Sequence, residues 1–313
     1  MEIEIILSNK DIITCSKAKN KEIFKSVIGG LGLIGIITKV KLKLKKINSF
    51  YETTNHVCNN YNEVIKELYF QRENYDYIFG WIDTFAQKKK LGRGVIFKAK
   101  KYFKLKKKPI FRGNFIFNLK GKLQEKVFSF CIKNNLVKYL NSIFLKSFLL
   151  KKRNINSYQE ITYPLTAYGI DIKKMIYPYS FFEVQIILNK NTLPESLSEF
   201  IKKCQSLKLN GFVIGIKMHK KNDNYLSFAE DGVSININQI FKKENEKEIV
   251  QKFDELYKFI IEKNYKIYLC KDFFLRKNNF CKNYKHAELF FSLKNKYDKN
   301  DLFSSDFLDR VKK

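Results

Sequence analysis

The chain has 313 residues, 45% hydrophobic and 29% charged with four prolines, a composition that builds a buried core and excludes a disordered tail. Sixty Lys and Arg against 31 Asp and Glu give a net charge of +29, which raises nucleic acid or an anionic membrane as a partner. Only six of the sixty are Arg, so the excess is a lysine surface and nucleic-acid recognition through forked guanidinium groups is disfavoured.

From the N-terminus, Ile3, Ile5 and Leu7 alternate with Glu2, Glu4 and Ile6, and Asn9-Lys10-Asp11 turns into 12–15, which predicts a β-hairpin. One or two helical turns over 22–27 run into the glycine-rich bend Gly29-Gly30-Leu31-Gly32-Leu33-Ile34-Gly35. A strand over 36–44 follows, in which Val40, Leu42 and Leu44 alternate with Lys39, Lys41 and Lys43, the pattern of a sheet with one wet face. The pattern restarts beyond residue 48: strand 51–57, helix 61–71, strands 75–83 and 94–100, then a basic patch over 98–108 ending at Pro109. Residues 110–160 are poorly patterned apart from a helix over 127–150. Further on come strand 181–188, helix 194–204 and strands 211–218 and 233–237. Ile249, Val250, Phe253, Leu256, Tyr257, Ile260 and Ile261 then form one helical stripe. A strand over 266–269, a helix over 284–294 and the terminal stretch 297–311 close the chain. The fold class is α+β, an antiparallel sheet flanked by helices, with too few crossover units for a doubly wound sheet. The divisions fall at 1–48, 49–263 and 264–313.

The six scattered cysteines form no metal spacing and no disulfide framework, and read as reduced thiols of a cytoplasmic protein. No export leader precedes residue 2. The region 127–150 is broken by Lys133, Asn134, Asn135, Lys138, Asn141 and Lys146, which excludes a membrane span but leaves a peripheral position at the inner membrane face open. His56, His219 and His286 have no partners at ligand spacing, so no metal is assigned.

Four glycines in seven residues let a backbone approach a ligand or take positive φ, although from the residues alone a plain structural turn is the favoured reading. Strand parity puts Glu183 and Gln185 on one face, Gly215 and Lys217 on one face, and Ser234, Asn236 and Asn238 on one face, each opposite a row of apolar residues. Three polar faces over one greasy layer can floor a cleft; ordinary solvent exposure is the alternative, and for a lone strand the preferred one.

The bend Gly29 to Thr38, Trp81-Ile82-Asp83 with Lys90-Leu91-Gly92-Arg93-Gly94, the 182–188 strand with Gln185, Lys217, Tyr268-Leu269-Cys270-Lys271-Asp272 and the ending Leu302-Phe303-Ser304-Ser305-Asp306 stand in an order that resembles a known family. They look like decaprenylphosphoryl-β-D-ribose 2′-oxidase, in the p-cresol methylhydroxylase/vanillyl-alcohol oxidase class of FAD-binding proteins. The resemblance implies non-covalent FAD, with Gly30, Gly32, Gly35, Ile36, Ile37 and Tyr268 at the cofactor and Lys271 as the catalytic residue, a desolvated lysine in base range. It implies Gln185, Lys217, Ser234 and Asn236 at the substrate, a sugar carried on a polyprenyl phosphate or otherwise activated, oxidised at a CH–OH group. It also implies a short-chain reductase as partner in an epimerase pair.

Two departures follow. Ser234 and Asn236 stand where the family has Asn and Cys, so another substrate is open. The front of the FAD domain is expected upstream of residue 1, so residues 1–48 are read as its last portion; a split gene with a separate chain supplying the rest, a truncated copy and a partial gene model each account for this. An aldono-lactone oxidase, and an inactive flavoprotein fragment or basic binding protein, are the competing readings.

Overall fold

A computed structural model describes residues 1–104, 121–149, 153–163, 167, 171–212 and 214–312. The basic patch expected over 98–108 therefore lies partly outside the described residues, as do residues 150 and 213. Two antiparallel sheets organise the chain, in keeping with the α+β class.

The small sheet has the order β2-β1-β3, from β1 (Glu2–Ile6), β2 (Ile12–Ser16) and β3 (Ile36–Lys41). The hairpin registers Ile3 on Cys15 and Ile5 on Ile13, and Lys10 takes a left-handed φ of 71° at its turn. The helix α1 (Lys21–Val27) packs beside β2 and buries Ile23, Phe24 and Val27. On the other side β3 pairs with β1 through Ile3↔Val40 and Glu4↔Lys39, then a bulge shifts the register so that Ile37 meets Ile5. The alternation over 36–44 predicts a buried apolar face; instead all six residues of β3 are exposed. The reason is cover: α1 lies on the β2 side, and no described element is laid over β3.

The large sheet has the order β11-β8-β10-β9-β5-β6-β4-β7, from β4 (Phe50–Cys58), β5 (Tyr77–Ile82), β6 (Gly94–Lys101), β7 (Arg153–Ser157), β8 (Ser180–Asn189), β9 (Gly215–His219), β10 (Gly232–Phe241) and β11 (Lys266–Ile267). Its centre is the β8–β10 ladder, in register from Asn189↔Gly232 to Ser180↔Phe241. Val184, Ile186 and Leu188 of β8, Ile216 of β9 and Val233, Ile235 and Ile237 of β10 are fully buried on one side. Each contributes about 1.5–3 kcal/mol of transfer free energy.

The helices are α2 (Tyr61–Phe70), α3 (Gly121–Lys133), α4 (Val137–Ser147), α5 (Tyr158–Thr162), α6 (Ile172–Ile176), α7 (Glu195–Ser206), α8 (Glu246–Glu262), α9 (Lys277–Asn283), α10 (Ala287–Tyr297) and α11 (Asp306–Lys312). Leu197, Phe200 and Ile201 of α7 and Phe253, Leu256 and Ile260 of α8 join the buried face of the large sheet. The same core takes in Ile3 and Ile5 of the small sheet and Phe290, Leu308 and Val311 near the C-terminus.

Several boundaries differ from the pattern-based reading. The helix expected over 127–150 is two helices, broken where Asn135 adopts φ 56°. The strand expected from 211 begins at Gly215, because Asn238 Oδ1 and Asn236 Oδ1 accept the backbone N–H groups of Phe212 and Gly215, each at 2.7 Å, in place of a ladder. The helix expected over 284–294 runs from Ala287 to Tyr297, because Tyr284 instead caps the preceding helix α9 and its buried hydroxyl donates to the Ile267 carbonyl. The strand β7 and the helices α5 and α6 carry too little periodicity to be read from sequence; α5 starts at a capping box between Ser157 and Glu160.

Candidate functional site

The face of the β8-β10-β9 ladder opposite the apolar row carries the polar residues that parity placed there, from the buried Ser234 and Asn238 to the exposed Lys217. Register sets Asn236 opposite Gln185 and Ser234 opposite Lys217. Glu183 Oε1 accepts from Asn236 Nδ2 at 2.7 Å and from Lys271 Nζ at 3.1 Å. Lys271 reaches it from the short 3₁₀ turn Leu269–Lys271 that follows β11. The chain arrives there because Tyr268 N–H bonds to the Gln185 carbonyl at 2.8 Å, extending the β11–β8 pairing by one more rung.

A second cluster adjoins the first. Gln185 Nε2 donates to Ser234 Oγ at 3.2 Å, and Ser234 Oγ lies 2.8 Å from His219 Nε2. The serine hydroxyl accepts from the amide and has its own proton for the imidazole. Burial, reinforced by the charge of Lys217, pulls the His219 pKa below its usual value, which favours the neutral ring that can accept this bond. The Phe228 ring stands 5.5 Å from His219 and 4.8 Å from Tyr268, walling the cluster. A hydrogen bond to Cys270, with burial second, raises the Tyr268 hydroxyl above its ordinary pKa, so it stays a neutral donor.

Lys271, Gln185, Ser234, Asn236 and Tyr268 are thus brought together, and Lys217 sits at their exposed edge. Lys271 is not the desolvated lysine expected from sequence: its side chain keeps about a third of its exposure (35%) and is ion-paired with Glu183. Sequence reasoning passed over Glu183, His219 and Phe228 as site residues. Parity had already put Glu183 beside Gln185, and His219 follows Lys217 by two residues on the same strand, which was the available signal.

The glycine bend lies across one loop from this corner. Tyr225 N–H bonds to Lys25 O at 3.1 Å, Lys25 pairs with Asp223 at 2.7 Å, and a Cβ on Gly29 would stand 3.4 Å from the Leu226 carbonyl. Two residues on, Phe228 faces Tyr268. Within the bend only Gly32 offers open backbone: its φ is 77° and a Cβ there would meet nothing within 4 Å. Gly30 is instead required by close packing, since a Cβ would fall 2.0 Å from the Ser26 carbonyl. Gly35 backs onto Ile6, while Ile36 and Ile37 are exposed on β3. The bend, open at Gly32 and tied through Gly29 to 225–228 and so to the Tyr268 ring, offers the free backbone and the aromatic face that a planar cofactor with a polyphosphate tail takes; Gly30 and Gly35 serve the fold.

A cavity of about 550 Å³ lies elsewhere, lined by Arg276, Lys277, Asn278, Asn279 and Arg310 and by none of these residues. Among the described residues no three His, Cys, Asp or Glu side chains converge on a metal position. No helix among the described residues is long and apolar enough to cross a membrane.

No family model matches the chain. It is similar to cytokinin dehydrogenase 1 of Arabidopsis thaliana, 27% identical over 84 residues, which are 26% of this chain and 15% of that protein. Cytokinin dehydrogenase 9 of Oryza sativa subsp. japonica is 30% identical over 84 residues, 26% of this chain and 16% of that protein. Cytokinin dehydrogenase 3 of Arabidopsis thaliana is 44% identical over 45 residues, 14% and 9% of the two chains. The matched stretches therefore span about a sixth or less of these relatives.

Proposed function

We propose that the chain is part of an FAD-dependent oxidoreductase whose substrate is oxidised over the polar face of β8, β10 and β9. The carrying observation is the convergence of Lys271, Glu183 and Asn236 beside Tyr268, at one end of a loop whose other end holds the glycine bend. The curated relatives are dehydrogenases by name and support the flavin-oxidase class to which the sequence resemblance points, without singling out its sugar 2′-oxidase member.

When bound, FAD supplies the two-electron acceptor. The protein's own work is orientation and proton handling. For a CH–OH substrate the hydroxyl proton moves to the Glu183 carboxylate, the acceptor at the corner, while the Lys271 ammonium holds the oxygen it leaves. Gln185 and Ser234 bind neighbouring hydroxyls, and Lys217 at the open edge meets the phosphate of an activated or polyprenyl-linked sugar. The remainder of the flavin site lies outside residues 1–313, and a reductase acts on the keto product. A peripheral place at an anionic membrane, which the lysine surface favours, would bring a lipid-linked sugar within reach.

The relatives' name favours one second reading, in which the substrate is a cytokinin. Both readings are tested by reconstituting the chain with FAD, together with any polypeptide encoded beside it, and following the flavin absorbance. A prenyl-phosphate-linked sugar is expected to bleach the spectrum in the wild type but not in Lys271→Ala. Bleaching by a cytokinin alone would select the second reading, and a flavin spectrum that neither compound bleaches would overturn both.

A further inference from the structure

We propose that the open edge of β3 is the docking site for a strand of another polypeptide, one whose residues alternate acidic and β-branched. The argument rests on β3 alone and not on the flavin reading.

An edge strand with one neighbour leaves every second N–H and C=O unpaired on its outer side. Proteins ordinarily blunt such an edge, but here the exposed edge also carries uncovered apolar surface. Val40 and Ile37 point to the same side as their partners Ile3 and Ile5, which are 3% and 0% exposed, yet each is itself 47% exposed. Leu42 and Leu44 continue the alternation and are more exposed still, at 59% and 86%. The strand stops where its partner stops, at Glu2↔Lys41, although the sequence pattern runs on. Both the edge and the face beneath it are thus incomplete.

The chemistry of the missing neighbour is written in the neighbour that is present. On its inner side β3 pairs with Glu2-Ile3-Glu4-Ile5. Glu4 takes the ammonium of Lys39 at 3.1 Å and the hydroxyl of Thr38 at 2.8 Å on one face, and Ile3 and Ile5 meet Val40 and Ile37 on the other. Lys41 and Lys43 extend the basic row on the outward side. A strand of the same acidic and apolar alternation satisfies the second edge in the same way, with charge complementarity above and apolar cover below. A second copy of β3 would set lysine rows against each other. The exposed edge of β2, Ile-Ile-Thr-Cys-Ser, has no acidic residue to offer.

The test uses the full chain and three synthetic octapeptides: glutamate and valine in strict alternation, lysine and valine in strict alternation, and four glutamates followed by four valines. Amide hydrogen exchange is read across 36–44. The alternating glutamate peptide is expected to slow exchange there at least tenfold, with the lysine peptide inert and the effect lost in Val40→Asp and in Lys41→Glu. Both substitutions are at exposed positions, and unchanged exchange in β8 and β10 verifies the fold. Three results would overturn the proposal: no slowing with any peptide, equal slowing with the blocked peptide, which marks simple polyanion binding, or protection already present in a self-associated dimer.

Discussion

The two sheets are built from the same alternation and end differently. In β8 and β10 the apolar row disappears under α7 and α8, while in β3 a row of the same kind stands in the open. Alternation tells which residues share a side; only a covering layer turns that side into core, and the cover is made by distant parts of the chain. The polar rows differ as well. On the large sheet they converge into a hydrogen-bonded corner, whereas on β3 the lysines beyond Lys39 face outward.

The comparison breaks first on paired aspartate substitutions. Ile186→Asp puts a carboxylate into the covered face of β8, where the residue is 0% exposed, and is expected to lose about 4 kcal/mol or more, or to fail to fold. Val40→Asp makes the same chemical change on β3 and should stay within about 0.5 kcal/mol in urea denaturation. A large loss at Val40 would mean that β3 is covered in the isolated chain.

Next in size is the tie that holds the small sheet without a full cover. Ser8 Oγ donates to the Tyr297 carbonyl at 2.9 Å, and a Cβ on Gly30 would press on Phe290, so α10 braces the hairpin and the bend. That helix is anchored by Lys294, fully buried with Asp298 at 2.6 Å, Asp301 at 2.8 Å and the Phe303 carbonyl at 2.8 Å. Lys294→Ala leaves the buried Asp298 carboxylate with its Leu302 and Phe303 N–H bonds but without its counter-charge, and is expected to cost about 3–5 kcal/mol. Exchange should rise in 2–16 before it rises in β8 and β10.

The third variant probes the polar corner. Glu183→Gln keeps the shape and one acceptor oxygen but loses the charge that draws Lys271. Because both groups are partly exposed, stability should change by about 1 kcal/mol or less. Flavin reduction in the reconstituted protein should fall about a hundredfold, the scale of a lost proton acceptor. An unchanged rate would remove Glu183 from the chemistry.

Much of this was legible beforehand, because the signals were local. Strand parity located Gln185, Ser234, Asn236 and Lys217 on one surface, and the stripe from Ile249 to Ile261 gave α8. What was not legible depended on long-range geometry. Lys271 and Glu183 are 88 residues apart in sequence, so their pairing exists only once β11 is laid on β8. The exposure of β3 was hidden for the same reason, since nothing in 36–44 states where α1 will stop. His219 was read among scattered histidines because its partner, Ser234, lies on another strand.

That histidine gives the smallest expected effect. Its pKa is lowered in the folded chain by burial first and by Lys217 second, so the unfolded chain binds the proton more readily. Stability linked to His219 is therefore fully present above the unfolded value of about 6.5 and is lost as pH falls from there through the lowered folded value. Protonation also removes the acceptor that Ser234 faces, so the bond at 2.8 Å must break or reverse its sense. His219→Gln retains a group able to bond Ser234 but does not titrate. The wild type should lose thermal stability relative to this variant as pH falls below about 6.5, with the two curves parallel above pH 7. Repeating the scan with Val40→Asp as background should leave the difference unchanged, because residues 1–48 contain no histidine and the effect belongs to the large sheet alone. Parallel curves across the whole range would show that the imidazole is solvated, and with it that the polar face of β9 and β10 is less enclosed than Ser234 and Phe228 make it.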